Sequence, residues 1–190
     1  MPCVALAGSR APAAPRAAMQ DRYDAMVRER LATFGVRVRK WRTNSSGVAV
    51  LLRYRDGSLS RYLEAPRPTG PVSAAIFLHE IGHHAIGLGS YKPRCLEEYH
   101  AWMFALREME RLELNITDAV RRRVHRSLRY AVRKARRRGI KTIPPELLAF
   151  DTPTIPASPV IVPPPWSGLP PDASARALVN GRAADHPASI

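Results

Sequence analysis

The sequence predicts an α+β fold in which helices pack around one three-stranded antiparallel sheet. One observation is a helical apolar repeat over residues 21–34. Another is the strand-like alternation of apolar and polar residues in three short segments that follow this repeat. The chain has 190 residues, of which 45% are hydrophobic, and this suits one modest core. We therefore expect one ordered domain over residues 19–150, between a disordered N-terminal extension over 1–18 and a Pro-rich disordered tail over 151–190.

The first helix is predicted over residues 21–34, with Asp21 as its N-cap and Gly35 as its stop. Its apolar residues recur at the spacings of a single helical stripe: Tyr23, Met26, Val27, Leu31 and Phe34. Such a stripe is typical of a helix that packs on a core, and we assign it no chemistry.

Three strands are predicted to follow, over residues 36–42, 48–54 and 59–63. The dipeptide Asp56-Gly57 between the second and third is a strong hairpin signal. Each strand thus follows its neighbour closely in the sequence. We therefore expect the three to form an antiparallel sheet ahead of the next helix.

That next helix, predicted to end near Ile86, contains the pattern His-Glu-x-x-His at His79, Glu80 and His83. Positions i and i+4 share a helix face, so the two histidines can offer imidazole nitrogens to one Zn²⁺. Glu80 is then the predicted general base toward a metal-bound water. The alternative, a surface helix with incidental histidines, is disfavoured by the apolar residues around the motif.

A catalytic zinc needs a third protein ligand and an open fourth position. A third His in an extended motif is absent, because Ile86 and Gly89 occupy the Gly and His positions of that pattern. A carboxylate from the following helix, predicted over residues 93–114, is the other route. Glu98 is the first choice, because helical geometry puts it at the border of the apolar face. The same geometry turns the second choice, Glu97, toward solvent.

Two motifs carry a resemblance to a known family: His79-Glu80-Ile81-Gly82-His83 and Glu98-x-x-Ala101-x-x-Phe104-Ala105. The chain resembles the ImmA/IrrE-type zinc metallopeptidases, which occur on phages and mobile elements and in stress-response operons. Their second motif reads roughly Glu-x-Glu-Ala-Asn-x-Phe-Ala, and here His100 and Trp102 replace its second Glu and its Asn. The resemblance covers residues 20–115. It implies a small zincin-like domain that binds Zn²⁺ and clips a protein partner, often a repressor.

In metallopeptidases of this sort, an edge strand beside the active-site helix often holds the substrate as an added strand. Residues 59–64 are expected to form an edge strand next to the zinc helix. This segment either takes that role or is a purely structural edge.

The net charge of the chain is +14. The tail from Asp151 onward contains two Arg and three Asp, a charge of −1, so the positive excess lies before it. Ten Arg or Lys fall between Arg121 and Arg138, on a helix predicted over residues 118–138. Such dense positive charge favours an anionic partner, nucleic acid first or an acidic protein, over a merely solvated face.

The leading hypothesis is a zinc-dependent endopeptidase that cleaves a protein partner. The alternative is a nucleic-acid-binding regulator on a peptidase-like scaffold, with structural zinc or none. In that case His84 or His100 could fill the fourth coordination position and leave the metal inert.

Two further features bear on the compartment. No apolar run approaches the length of a membrane span, and the apolar run near the start is too short for a signal-peptide core. We therefore expect a cytoplasmic protein without membrane contact. The two cysteines, Cys3 and Cys95, are expected to stay reduced, with Cys95 a weaker candidate zinc ligand than the adjacent glutamates.

Overall fold

The computed structural model describes residues 16–161 and residue 163, which form an α+β arrangement as predicted. In chain order the elements are α1 (Arg16–Phe34), β1 (Val36–Arg42), β2 (Val48–Arg53), β3 (Leu59–Pro66), α2 (Pro71–Ile86), α3 (Arg94–Arg111), α4 (Asp118–Arg137) and a 3-10 helix (Pro145–Phe150). Most of the predicted extension over 1–18 and of the predicted tail over 151–190 lies outside the described residues. Among the described helices, none has both the length and the apolar character needed to cross a bilayer.

Helix α1 begins at Arg16, earlier than predicted, so Asp21 lies inside the helix and is not its N-cap. Tyr23 and Met26 of the predicted apolar stripe are buried in the core. Gly35 follows the last turn with φ +59, a conformation that costs glycine little. The prediction of a packing helix that stops at this glycine is confirmed.

The sheet is mixed, with the strand order β1-β3-β2, so the prediction of an antiparallel sheet is wrong. β3 runs antiparallel to β2 but parallel to β1. It is also the most buried strand, through Leu63, Glu64 and Ala65, whereas β1 and β2 expose most of their residues. Glu64 is ion-paired with both Arg39 and Arg42 of β1. Strands that follow each other in the sequence usually pair, but β1 and β2 do not. The buried strand β3 lies between them instead.

The hairpin between β2 and β3 forms at Asp56-Gly57 as predicted. Gly57 has φ +84, and the Asp56 carboxylate accepts a hydrogen bond from the Ser58 amide. The central place of β3 has a second consequence, because residues 61–64 pair with β1 on one side and with β2 on the other. The prediction that residues 59–64 form an edge strand is wrong, and β2 is an edge strand of the sheet instead.

Helix α2 is the buried helix on which the site is built. The Ser73 hydroxyl accepts hydrogen bonds from the amides of Thr69 and Gly70 and so satisfies two groups at the helix start. Every residue over 74–86 is buried. The alternative of a surface helix with incidental histidines is therefore excluded.

Helices α2 and α3 approach each other closely at Gly82. A Cβ added there would lie 2.7 Å from the Ala101 carbonyl oxygen and 3.2 Å from Cδ1 of Phe104. A distance of 2.7 Å between a Cβ atom and a carbonyl oxygen is a steric clash. The two helices can therefore pack this closely only because residue 82 has no side chain.

Helix α4 begins at the predicted N-cap, where the Thr117 hydroxyl accepts a hydrogen bond from the Val120 amide at 3.3 Å. Gly139, with φ +85, follows its C-terminal end. Its narrow apolar stripe is buried as expected, through Val120, Val124, Leu128, Val132 and Ala135. Because this stripe packs into the core, the two flanks of α4, which carry the basic residues, remain outside it.

We expect Gly82→Ala to lower the free energy of unfolding by about 1–3 kcal/mol, because an overpacked helix contact forces the backbones apart. Urea denaturation of the full chain measures the loss. Gly70→Ala is the matched control, since a Cβ at the start of the same helix meets nothing within 4 Å. We expect its cost to stay below about 1 kcal/mol. Equal losses in the two variants would contradict the close approach at Gly82.

Candidate metal centre

His79 and His83 lie one helical turn apart on α2, and both side chains are buried. Their ring centroids are 4.7 Å apart, with the ring planes at 72°. Both Nε2 atoms approach the same carboxylate oxygen of α3, that of Glu98. The two predicted metal ligands on α2 are therefore directed at one small volume.

Glu98, in the second turn of α3, completes a group of three. Its Oε2 lies 3.3 Å from Nε2 of His79 and 3.6 Å from Nε2 of His83. One ligand atom from each residue lies within 4.8 Å of the other two. Over residues 16–161 and 163, no other set of three His, Cys, Asp or Glu side chains meets this condition. The structure therefore brings together the three side chains predicted to bind the metal, called the triad below.

Glu97 is placed differently from the prediction, because it is fully buried and does not face solvent. Its Oε1 lies 3.2 Å from Nδ1 of His83, and its Oε2 accepts a hydrogen bond of 2.7 Å from the Gly89 amide. Arg94 approaches the same carboxylate, with 2.9 Å between Nη1 and Oε1. The prediction that Glu97 faces solvent is wrong because the loop after α2 covers this side of α3. A face outside the apolar stripe is therefore buried.

The donor set of the triad fits zinc. Two imidazoles and one carboxylate form a set that catalytic zinc sites use, with the fourth position left for water. The buried Glu97 supports the fit, since a carboxylate on Nδ1 of a ligand His fixes the tautomer that offers Nε2 to the metal. The ion would be held by Nε2 of His79, Nε2 of His83 and a carboxylate oxygen of Glu98.

His79 is oriented by stacking on an aromatic ring. Its imidazole lies 4.2 Å from the ring of Trp102, with the planes at 18°. Its Nδ1 is buried and has no hydrogen-bond partner in the described part of the chain. Trp102 thus provides an aromatic contact behind a predicted ligand.

The protonation of the triad follows from burial and from its carboxylates. Burial lowers the pKa of His79 to about 4, so this imidazole is neutral near pH 7, as a metal ligand must be. Burial also acts against a proton on His83, but hydrogen bonds with Glu97 and Glu98 outweigh it and raise the pKa to about 9. Burial favours the protonated form of Glu98, yet its contacts with His79 and His83 hold the pKa of this carboxyl well below its usual range. Metal binding here would therefore release a proton.

Glu80 lies beside the triad and is not part of it. Its buried carboxylate packs against the backbone of Gly47, where an added Cβ would lie 2.6 Å from Cδ of Glu80. Burial raises the pKa of Glu80 to about 7. A carboxyl with such a pKa can both accept and donate a proton at neutral pH. Sequence reasoning identified Glu80 but missed Gly47, which carries only the signal of a turn residue.

The other candidate ligands lie away from the triad. His84 has its Nε2 2.9 Å from the Tyr62 carbonyl oxygen, and His100 stacks on Tyr91 with ring centroids 4.0 Å apart. Cys95 is a buried free thiol outside the group. Neither His84 nor His100 belongs to the group of described residues that could hold a metal.

The triad and Glu80 line an open cleft of about 1350 Å³. The start of β2 forms one side of this cleft, through Val48 and Ala49. Helix α4 and the residue after it form another side with side chains spaced three or four residues apart: Arg123, Arg126, Tyr130, Lys134 and Arg138. We call these α4 side chains the cleft wall.

Arg123 is a further residue that sequence reasoning missed, because nothing in the sequence distinguishes it from its nine basic neighbours. Its Nη2 donates a hydrogen bond of 2.6 Å to the Ser45 carbonyl oxygen. This bond ties α4 to the loop that carries Gly47. Arg123 is also close enough to His79 and Glu80 for its charge to act on both.

Comparisons with protein-family models, with curated proteins and with solved structures gave no match for this chain. The features of the chain that bear most directly on function are therefore the convergence of the triad and the placement of Glu80.

We expect Glu97→Gln to weaken Zn²⁺ binding by about 10–100-fold, because His83 loses the anionic partner that orients it. Glu98→Ala removes a ligand atom, and we expect a loss at least about tenfold larger than that. Competition with a chromophoric chelator measures both affinities on the full chain. Glu110→Ala, at an exposed position of α3, is the control and should change the affinity little. A larger loss for Glu97→Gln than for Glu98→Ala would show that the two carboxylates have exchanged roles.

Proposed function

We propose that the protein is a zinc-dependent endopeptidase in which His79, His83 and Glu98 hold the metal and Glu80 is the general base. One observation carries this proposal: a buried carboxylate outside the triad lines the same open cleft as the triad. A purely structural zinc has no use for such a group, and its coordination is closed by protein ligands. His84 and His100 are held by other contacts outside the triad, which supports a fourth position left to water.

The chain's own residues supply the proton transfers of the proposed reaction. When bound, zinc would polarise the scissile carbonyl and lower the pKa of a coordinated water. Glu80 accepts a proton from the attacking water and delivers it to the leaving amine. Its pKa near 7, raised by burial, suits both tasks. Gly47 leaves the space that this carboxylate needs, and Glu97 orients His83.

We propose that the edge strand β2 receives the backbone of the substrate. β2 pairs with β3 on one side only, and its first residues, Val48 and Ala49, line the cleft. An extended peptide can add to such an edge through main-chain hydrogen bonds. The peptide would then pass beside Gly47, which contacts Glu80. This replaces the role that the sequence suggested for residues 59–64.

We further propose kinship with the ImmA/IrrE-type metallopeptidases. The support is that the two motifs on which the resemblance rests, around His79 and around Glu98, meet in space at the triad. Membership would make the substrate a protein partner, with a repressor or another regulator as the first candidate. It would also suit a chain carried by a phage or mobile element.

A nucleic-acid-binding regulator on the same scaffold is the second candidate. The basic residues of α4 favour it, since several of them are exposed. The open coordination position and the buried Glu80 favour catalysis over an inert metal site. The two functions are compatible, because a peptidase could dock on a protein that is bound to DNA.

We expect Glu80→Gln to bind zinc as the wild-type chain does but to lose cleavage by about a thousandfold or more. The zinc-loaded full chain is incubated with a library of proteome-derived peptides, so that the substrate need not be known beforehand. Mass spectrometry then counts the new termini, and elemental analysis measures zinc per chain. Cleavage that persists in Glu80→Gln with a full zinc content would refute the mechanism.

We expect Gly47→Ala to lower kcat by about a hundredfold while zinc affinity changes by less than about threefold, because the added methyl displaces only the Glu80 carboxylate. Kinetics on a peptide selected from the library measure the effect. The control is the double variant Gly47→Ala/Glu80→Gln, which should be no less active than Glu80→Gln alone. A further loss in the double variant would mean that Gly47 acts through something other than Glu80.

A further inference from the structure

The cleft wall suggests which peptides enter the site. We infer that the cleft takes an acidic peptide segment, whose carboxylates are recognised by Arg123, Arg126, Lys134 and Arg138. This inference rests on the proposed endopeptidase function and adds a substrate class to it.

The four basic side chains follow one face of α4, at successive spacings of three, eight and four residues. Arg123 and Arg138 are 15 positions apart, about 22 Å along an α-helix. An extended peptide covers that distance with about seven residues. The row therefore matches the length of a peptide lying along the cleft, and Arg123 is close enough to Glu80 for the two charges to interact.

The charges of this row are not balanced by nearby acids. In the described part of the chain, the cleft is lined by three carboxylates, Glu80, Glu97 and Glu98. All three belong to the metal centre, and Arg94 already pairs with two of them. The four basic residues of the cleft wall form no ion pair with another described residue; they are Arg123, Arg126, Lys134 and Arg138.

Arg123 keeps an unused donor next to the centre. Its Nη2 is bonded to the Ser45 carbonyl oxygen, which fixes the side chain against the loop. Its Nε is buried and has no hydrogen-bond partner among the described atoms. A guanidinium held in this way is pre-organised to bind a carboxylate, because little further ordering is needed.

The remaining basic residues of α4 explain why a peptide is favoured over a nucleic acid. Arg122 donates to the Ala157 carbonyl oxygen, and Arg129 donates to that of Thr152. Arg136 is paired with Asp151 at 2.7 Å. Residues 151–157 thus occupy part of the helix away from the cleft and use up donors that would otherwise reach phosphates. Arg126, Lys134 and Arg138 have no such partner among the described residues, and they line the cleft that holds the triad.

The test measures binding of Glu-rich peptides to the zinc-loaded full chain that carries Glu80→Gln, so that nothing is cleaved. Fluorescence anisotropy compares a pool of amidated peptides, about ten residues long, with an identical pool in which Gln replaces each Glu. We expect the Glu pool to bind about tenfold more tightly, and the preference to weaken as salt rises.

Two double variants locate the binding surface. Arg126→Ala/Lys134→Ala should remove most of the preference for Glu. Arg133→Ala/Arg137→Ala removes the same charge from exposed positions of α4 outside the cleft wall and should change affinity by less than about twofold. Equal binding of the two pools, or equal losses in the two variants, would overturn the inference.

Two further outcomes are informative. If a DNA duplex displaces the Glu pool and loses its affinity in the same cleft variant, the wall is a nucleic-acid site and the inference fails. Cleavage of library peptides by the wild-type chain is scored separately. Cleavage without a preference for acidic sequences overturns the acidic substrate but leaves the endopeptidase. Acidic binding without any cleavage overturns the endopeptidase but leaves the recognition by the cleft.

Discussion

The close contact between α2 and α3 at Gly82 is the constraint on which the site depends. Gly82 lies between His79 and His83 on α2, and the Ala101 carbonyl that it approaches is one turn beyond Glu98 on α3. Because the two backbones meet there, the three ligand atoms come within 4.8 Å of one another. A side chain at position 82 would separate the helices and with them the two halves of the triad. The geometry of the metal centre is thus a consequence of helix packing.

Burying so many titratable groups is costly, and the network around His83 shows how the fold offsets the cost. A lone charge in the interior loses its hydration, so it is stable only when it is paired and hydrogen-bonded. Glu97 meets this need through His83, Arg94 and the Gly89 amide. Among the described residues no such set of donors surrounds Glu80, and burial raises its pKa to about 7. Glu97 is therefore held by three partners, while Glu80 is left ready to exchange protons.

Much of this could be predicted from the sequence, and the failures have physical causes. His79, Glu80 and His83 follow from local spacing on one helix, and Glu98 follows from the periodicity of the next. Strand order was missed because it depends on the burial of β3 in the whole fold. The burial of Glu97 was missed because a loop covers a helix face that looks polar in the sequence. Gly47 was missed because its contact with Glu80 joins segments 33 positions apart.

The most direct test of the account is the position of zinc in crystals of the full chain, located by anomalous scattering at the zinc absorption edge. We expect one strong peak bonded to Nε2 of His79, Nε2 of His83 and a carboxylate oxygen of Glu98. We also expect a fourth position open to solvent beside Glu80. A peak bonded to Glu97, a fourth protein ligand on the metal, or the absence of zinc from the triad would contradict it.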